Sequence, residues 1–207
     1  MNIVAYHGSN ARFKQFDQGK ARIINDFYGG GVAYFTDNLS VGKSYARTMA
    51  KRKGEPYVYQ VNLSLRKMFD VNDNFTGREL VKFFDDSTVD NFARGAGLIK
   101  LGADKYTIIG KLKAGQISLT GDQVFKGLSK GMVNTAKTRE KLMELGYDGL
   151  RYNGGMNMNM ATQHNVYLAY YAKSIKIDKV YKLVSKTQSE SLSIIKKVIG
   201  ENYDPYK

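Results

Sequence analysis

The chain has 207 residues, 43% of them hydrophobic, and a formal net charge of +13 from 32 Lys and Arg against 19 Asp and Glu. That is enough for the core of one domain, while the lack of cysteine excludes disulfides and thiolate metal sites and a total of two histidines argues against a histidine-rich zinc site. No apolar run approaches the ~20 residues that span a bilayer and the start Met-Asn-Ile-Val lacks a basic leader, so a soluble, cytoplasmic protein is expected, whose positive field suits an anionic ligand or an acidic partner.

Ile3, Val4 and Ala5 form a short apolar strand that stops at the turn-forming Gly8-Ser9-Asn10, which puts His7 at a strand end. Phe13 and Phe16, three residues apart, are expected to pack under the loop that follows. Gly29-Gly30-Gly31 lets a ligand lie against bare backbone, and lacks the Lys-Ser/Thr ending of a triphosphate-binding loop. A strand bearing Tyr34 comes next; a register shift of one residue would turn that tyrosine to the other face. Asp37 and Asn38 are caps for a helix through about Arg52, with Tyr45 and Met49 on one side and Lys43, Arg47, Lys51, Arg52 and Lys53 as a basic edge. Tyr57 to Leu63 alternates as a strand and leads to Met68-Phe69-Asp70-Val71.

From Thr76 to Thr138 short helical patterns around Leu80, Val89, Tyr106 and Val124 are punctuated by glycines, which predicts an inserted helical lobe over about 74–138. Its Glu79, Asp85 and Asp86 read as surface carboxylates. A helix ending at Leu145 stops at Gly146. A strand over Tyr147 to Tyr152, an Asn- and Met-rich loop over Gly154 to Ala161, and a strand over Val166 to Tyr171 follow, with further apolar alternation at Ile175, Ile177, Val180 and Leu183. Thr187 and Glu190 have capping-box spacing for a closing helix to Ile199.

Four segments together, Tyr6-His7-Gly8-Ser9, Val32-Ala33-Tyr34-Phe35-Thr36-Asp37, Gly146-Tyr147-Asp148-Gly149 and Asn165-Val166-Tyr167, resemble the ADP-ribosyltransferases of the diphtheria-toxin and poly(ADP-ribose) polymerase type, in particular small bacterial and phage-encoded members. The resemblance implies an α+β fold with a split, mostly antiparallel sheet. It also implies NAD as co-substrate, no metal, and a macromolecular acceptor, protein or nucleic acid, that the basic balance suggests is acidic. By the same resemblance His7 contacts the ribose beside nicotinamide and Gly8 grips the carboxamide. Tyr34 and Tyr45, eleven residues apart, sandwich the nicotinamide ring, and Ser9, Phe35 and Thr36 line the site. Arg22 and Lys20 are candidates for the pyrophosphate.

Val166 occupies the place of the family's glutamate, on which chain elongation depends, so transfer of single ADP-ribose units by a phage or bacterial effector is implied. Gln163, His164 and Asn165 directly precede it, and Gln163 and Asn165 are the favoured neutral hydrogen-bonders to the ribose. Two other readings stay open: a cleft that binds NAD or ADP-ribosylated partners without reacting, and a basic nucleic-acid-binding protein.

Overall fold

The structure is a computed structural model that describes residues 1–20, 28, 30–99, 104–155 and 163–184. The candidate cation Arg22, the Lys20 side chain, most of the Asn- and Met-rich loop and the expected closing helix lie outside the described residues.

The first alternating stretch forms β1 (Asn2–Ser9), followed after the loop by β2 (Ala33–Thr36) and α1 (Leu39–Ala50). Asn38 caps α1 through Oδ1, which accepts the N–H groups of Ser40 at 2.9 Å and Val41 at 3.2 Å. The chain continues through β3 (Tyr57–Ser64), β4 (Met68–Asp70) and β5 (Asn74–Thr76), then α2 (Val89–Gly95), α3 (Lys105–Lys113), β6 (Ser118–Thr120), α4 (Gly121–Leu128) and α5 (Thr135–Glu144). It closes with β7 (Gly149–Gly154), β8 (His164–Ala169) and β9 (Ile175–Lys182). Gly146, at φ 83°, ends α5 as its position in the sequence suggests. Around Leu80 a 3₁₀ turn over Gly77–Lys82 stands where a short α-helix is expected.

Seven strands make one sheet in the order β4-β7-β8-β2-β1-β3-β9, antiparallel except for β4 on β7. The architecture is thus α+β with a mostly antiparallel sheet. The small β5–β6 pair is a separate antiparallel ladder that the sequence pattern does not announce. Two apolar layers cover the large sheet. On one face, Phe92 of α2, Leu112 of α3, Val124 and Phe125 of α4 and Leu142 of α5 share a core with Phe69, Leu150, Leu168 and Tyr170. The helices α2 to α5 therefore share buried apolar surface with the sheet, which is the dominant stabilising term for such a layer. On the other face Ala5, Phe35, Tyr59, Val61, Leu63, Tyr167 and Ala169 are joined by Phe13 and Phe16 from the loop after β1.

Glu79, Asp85 and Asp86 do not converge. The first caps Thr76, the second caps the turn at Ser87 and Thr88, and the third pairs with Lys113.

Candidate active site

The sheet opens between β1 and β2. Along β3, β1 is paired in register from Asn2 to Ser9, but on its other edge it meets β2 at one register position, Tyr6 with Thr36. Beyond that point the two strands part, and the side chain of His7 reaches across: its Nδ1 lies 2.9 Å from the carbonyl oxygen of Tyr34. A carbonyl only accepts, so Nδ1 carries the proton and the neutral ring presents Nε2 as an acceptor. Burial holds the His7 pKa below the ordinary value, and the bond to Tyr34 offsets this only in part. The ring packs against Phe16, Phe35, Tyr59 and Phe13 at centroid distances of 5.3, 5.7, 6.2 and 6.3 Å.

That aromatic bed is itself fixed. The hydroxyl of Tyr59 accepts the Phe13 N–H at 2.6 Å and donates to the Ala11 carbonyl at 3.1 Å. Gln18 ties the same loop to the end of β8, donating to the Tyr170 carbonyl at 3.0 Å and accepting the Ala172 N–H at 2.8 Å. The sequence expectation for Phe13 and Phe16 thus acquires a consequence, because their packing sets the orientation of His7.

On the opposite face α1 lies directly on β1. A Cβ on Gly8 would stand 2.5 Å from the Ala46 nitrogen, 2.5 Å from the Gly42 oxygen and 2.9 Å from the Tyr45 Cβ, and a Cβ on Gly42 would stand 3.0 Å from that of Tyr6. Two glycines, one on each element, let the backbones touch. This contact sets Tyr45 beside Gly8, with 39% of its surface exposed. Thr36 faces α1 too, since its Cγ2 lies 3.9 Å from the same point above Gly42. By strand alternation Tyr34 shares that face, and it borders the helical core. The structure thus sets Tyr45 against Gly8, with Tyr34 on that same face of the sheet, while the His7 ring lies on the other face among Phe13, Phe16, Phe35 and Tyr59.

The remaining candidates are placed as follows. Phe35 is buried behind His7, and Thr36 is buried with its hydroxyl accepting the Asn38 N–H at 3.1 Å. Ser9 accepts the Ala11 N–H at 3.2 Å. Val166 pairs with Thr36 on one side and Tyr152 on the other, so its side chain is on the Tyr34 face, and it is buried. Asn165 turns the other way: its N–H and Nδ2 donate to the two carboxylate oxygens of Asp37 at 3.0 and 2.6 Å, and the Asp37 N–H returns to its carbonyl at 3.3 Å. Gln163 precedes the strand and is exposed. His164, by contrast, is buried on the face of Val166. The signal for this was in the sequence, since residues two apart on a strand share a face.

Arg12, Lys14, Arg47, Lys51, Arg52 and Lys53 are exposed around the β1 end, drawn together where the Asn10 amide donates to the Lys53 carbonyl at 2.8 Å. None of the six forms an ion pair among the described residues.

The profile of a family described as "ADP-Ribosyltransferase in polyvalent proteins" matches residues 1–179, most of the 207-residue chain. The chain belongs to this family. ADP-ribosyltransferases use NAD as co-substrate and a macromolecule as acceptor in general. No curated protein and no solved structure matches the chain. Among the described residues of this ADP-ribosyltransferase, no three His, Asp or Glu side chains gather as metal ligands, and no helix is long and apolar enough to cross a membrane.

Proposed function

We propose that the protein is an NAD-dependent mono-ADP-ribosyltransferase that modifies an acidic macromolecule, as a phage or bacterial effector. The observation that carries the reading is the split at Tyr6 and Thr36, spanned by the His7 bond to the Tyr34 carbonyl and roofed by α1 on the bare Gly8 backbone. A flat nicotinamide fits between two phenols, Tyr34 and Tyr45, with its carboxamide on the Gly8 backbone and a ribose hydroxyl on Nε2 of His7. Stacking and orientation lower the barrier by holding the reacting atoms in line.

In the step itself the bond between C1′ and the nicotinamide nitrogen breaks, and its electron pair leaves with neutral nicotinamide. A lone pair on the acceptor closes the new bond to C1′, and the acceptor proton passes to water. The buried Val166 supplies no carboxylate to the developing positive charge, so the electrostatic share is reduced and single units are transferred. The exposed cations from Arg12 to Lys53 beside the β1 end support an acidic acceptor. The segment 74–138, packed on the Tyr34 face, would act as the lobe that selects it.

Incubation of the purified protein with NAD and a bacterial lysate should release nicotinamide and leave acceptors heavier by one ADP-ribose, read by mass spectrometry. Absence of both products rejects the reading. The apolar Val166 also favours a second reading, a module that binds NAD without reacting, and calorimetric NAD affinity with no turnover would decide for it.

A further inference from the structure

We infer that the cations on α1 and at the β1 end bind the phosphate backbone of a nucleic acid, and that this polynucleotide is the acceptor. The inference rests on the NAD reading above for the transfer itself and names the class of its acidic partner. Charge is unevenly spread along the chain. Residues 1–16 and 38–54 hold seven Lys and Arg and no Asp or Glu, against a net charge of +13 for the whole sequence, so more than half of the surplus comes from these two segments.

The fold joins them. The Asn10 amide donates to the Lys53 carbonyl at 2.8 Å, and the Asn10 carbonyl accepts the Glu55 N–H at 3.0 Å, close enough to Gly54 to leave no room for a Cβ there. The end of α1 is thus pressed against the loop that carries Arg12 and Lys14. The acidic residues that bracket 38–54 are already engaged, Glu55 by Lys182 at 2.6 Å and the Tyr57 hydroxyl at 2.7 Å, and Asp37 by Asn165. On α1 itself Ser40, Ser44, Arg47 and Lys51 recur at steps of four, three and four, which sets them in one line along the helix, and all four are exposed. The line runs on the side away from β1, since Gly42 and Ala46 are the residues that meet Gly8.

The C-terminus of a helix carries about half a negative charge, which one cation satisfies; Arg47, Lys51, Arg52 and Lys53 exceed it. Hydroxyl, ammonium and guanidinium groups in a row are the donors that fix a phosphate backbone. A protein partner calls for aromatic or Met anchors within the patch and few lysines. Here the exposed apolar side chains of α1, Tyr45 and Met49, lie one turn apart on the flank toward β1, and lysine supplies four of the seven cations. Asn10 stands two residues beyond Gly8, so a polynucleotide held along this surface runs to the β1 end of the proposed site. The transfer balances as before: a nitrogen or oxygen lone pair of the nucleic acid replaces nicotinamide at C1′, and the proton it carried passes to water.

The test measures binding of a labelled single-stranded oligonucleotide, as RNA and as DNA of one sequence, by fluorescence anisotropy, with polyglutamate as the probe for an acidic protein. If the six exposed cations each meet a phosphate, raising salt from 50 to 200 mM weakens binding about 300-fold, and Arg47→Gln with Lys51→Gln lowers the slope of log K against log salt by about 1.4. At fixed salt that double variant should bind at least tenfold more weakly, whereas Lys111→Gln with Lys137→Gln, the same change of charge in α3 and α5, should stay within about twofold of the unaltered chain. Nicotinamide release without acceptor should be unchanged in both. With NAD, one of the two oligonucleotides should gain a single ADP-ribose, and gain it more slowly with the α1 variant. Polyglutamate bound as tightly as the oligonucleotides, equal weakening in the two double variants, or ADP-ribose found on proteins and on neither oligonucleotide would each overturn the inference and leave the NAD reading standing. A chain that binds the oligonucleotide with the expected salt slope and releases no nicotinamide would remove the NAD reading and the acceptor role with it, and leave the binding surface.

Discussion

Replacing Gly8 with alanine tests the element of the site that is most tightly specified. The added methyl would lie 2.5 Å from two backbone atoms of α1, the Ala46 nitrogen and the Gly42 oxygen. Neither can rotate away as a side-chain end would, so the helix must move off β1 by about 1 Å to restore ordinary contact. Overpacking of this kind costs about 1–3 kcal/mol, and in a chain of this size each kcal/mol lowers Tm by about 2–4 °C. The same movement carries Tyr45 away from the Gly8 backbone, and a displacement of about 1 Å at a reacting centre costs roughly 100-fold in rate. Gly8→Ala should therefore remain folded, melt several degrees lower and lose about two orders of magnitude in nicotinamide release. Gly110→Ala in α3 is the control, because a Cβ there meets nothing within 4 Å; it should stabilise the helix by about 0.5–1 kcal/mol with activity unchanged. Calorimetric melting and a continuous NAD-turnover assay read both quantities. Wild-type activity in a folded Gly8→Ala protein would refute the proposed contact between α1, Gly8 and the ligand.

Folding stability should carry a signature of His7. Its folded pKa lies below the ordinary 6.5 because of burial, so the unfolded chain binds the proton more readily; the stabilisation is complete above about pH 6.5 and is lost as the pH falls through the lower folded value. Denaturation midpoints across this range should fall in the unaltered protein and vary less in His7→Gln. Tyr59→Phe deprives the Phe13 N–H and the Ala11 carbonyl of their shared hydroxyl partner and should cost about 1–2 kcal/mol in urea denaturation, with weaker NAD binding as the bed of His7 loosens. Raising salt from 50 to 200 mM should sharply reduce modification of the acidic acceptor while nicotinamide release without acceptor changes little, since the exposed cations serve the partner. Equal salt sensitivity of the two rates would argue against that assignment.

Much of the fold was legible because its signals are local. The Asn38 cap and the Gly146 stop depend on neighbours a few residues away and stand where the sequence puts them. β1 instead runs on through Gly8 and Ser9, which the sequence reads as a turn, because β3 pairs with both. The contacts that give the site its shape are long-range. Asp37 reads as a helix cap, yet its carboxylate is bound to Asn165, 128 positions away, where it pins β2 to β8. Phe35, placed at the site by resemblance, is turned by alternation to the face opposite Tyr34, where its buried ring lies against His7. The β5–β6 ladder is three residues long on each side, too short to display a period.

The glycines divide in the same way. Gly146 has a local conformational reason that a sequence declares, whereas Gly8, Gly42 and Gly154 are defined by what lies across from them: helix backbone, the Tyr6 side chain and the His164 ring. At these three positions the space a side chain would occupy is taken by something from another element. Gly8 and Gly42 let α1 settle on β1 with Tyr45 beside Gly8; Gly154 leaves room for the His164 ring and a Val166 methyl. Removing the space at Gly8 or Gly42 should perturb the site while leaving the chemical groups present, so alanine at a glycine separates the role of geometry from that of composition more cleanly than deletion of a tyrosine or histidine. If the alanine variants keep full turnover with their folds intact, proximity of these groups is incidental and the chemistry must be sought elsewhere on the sheet.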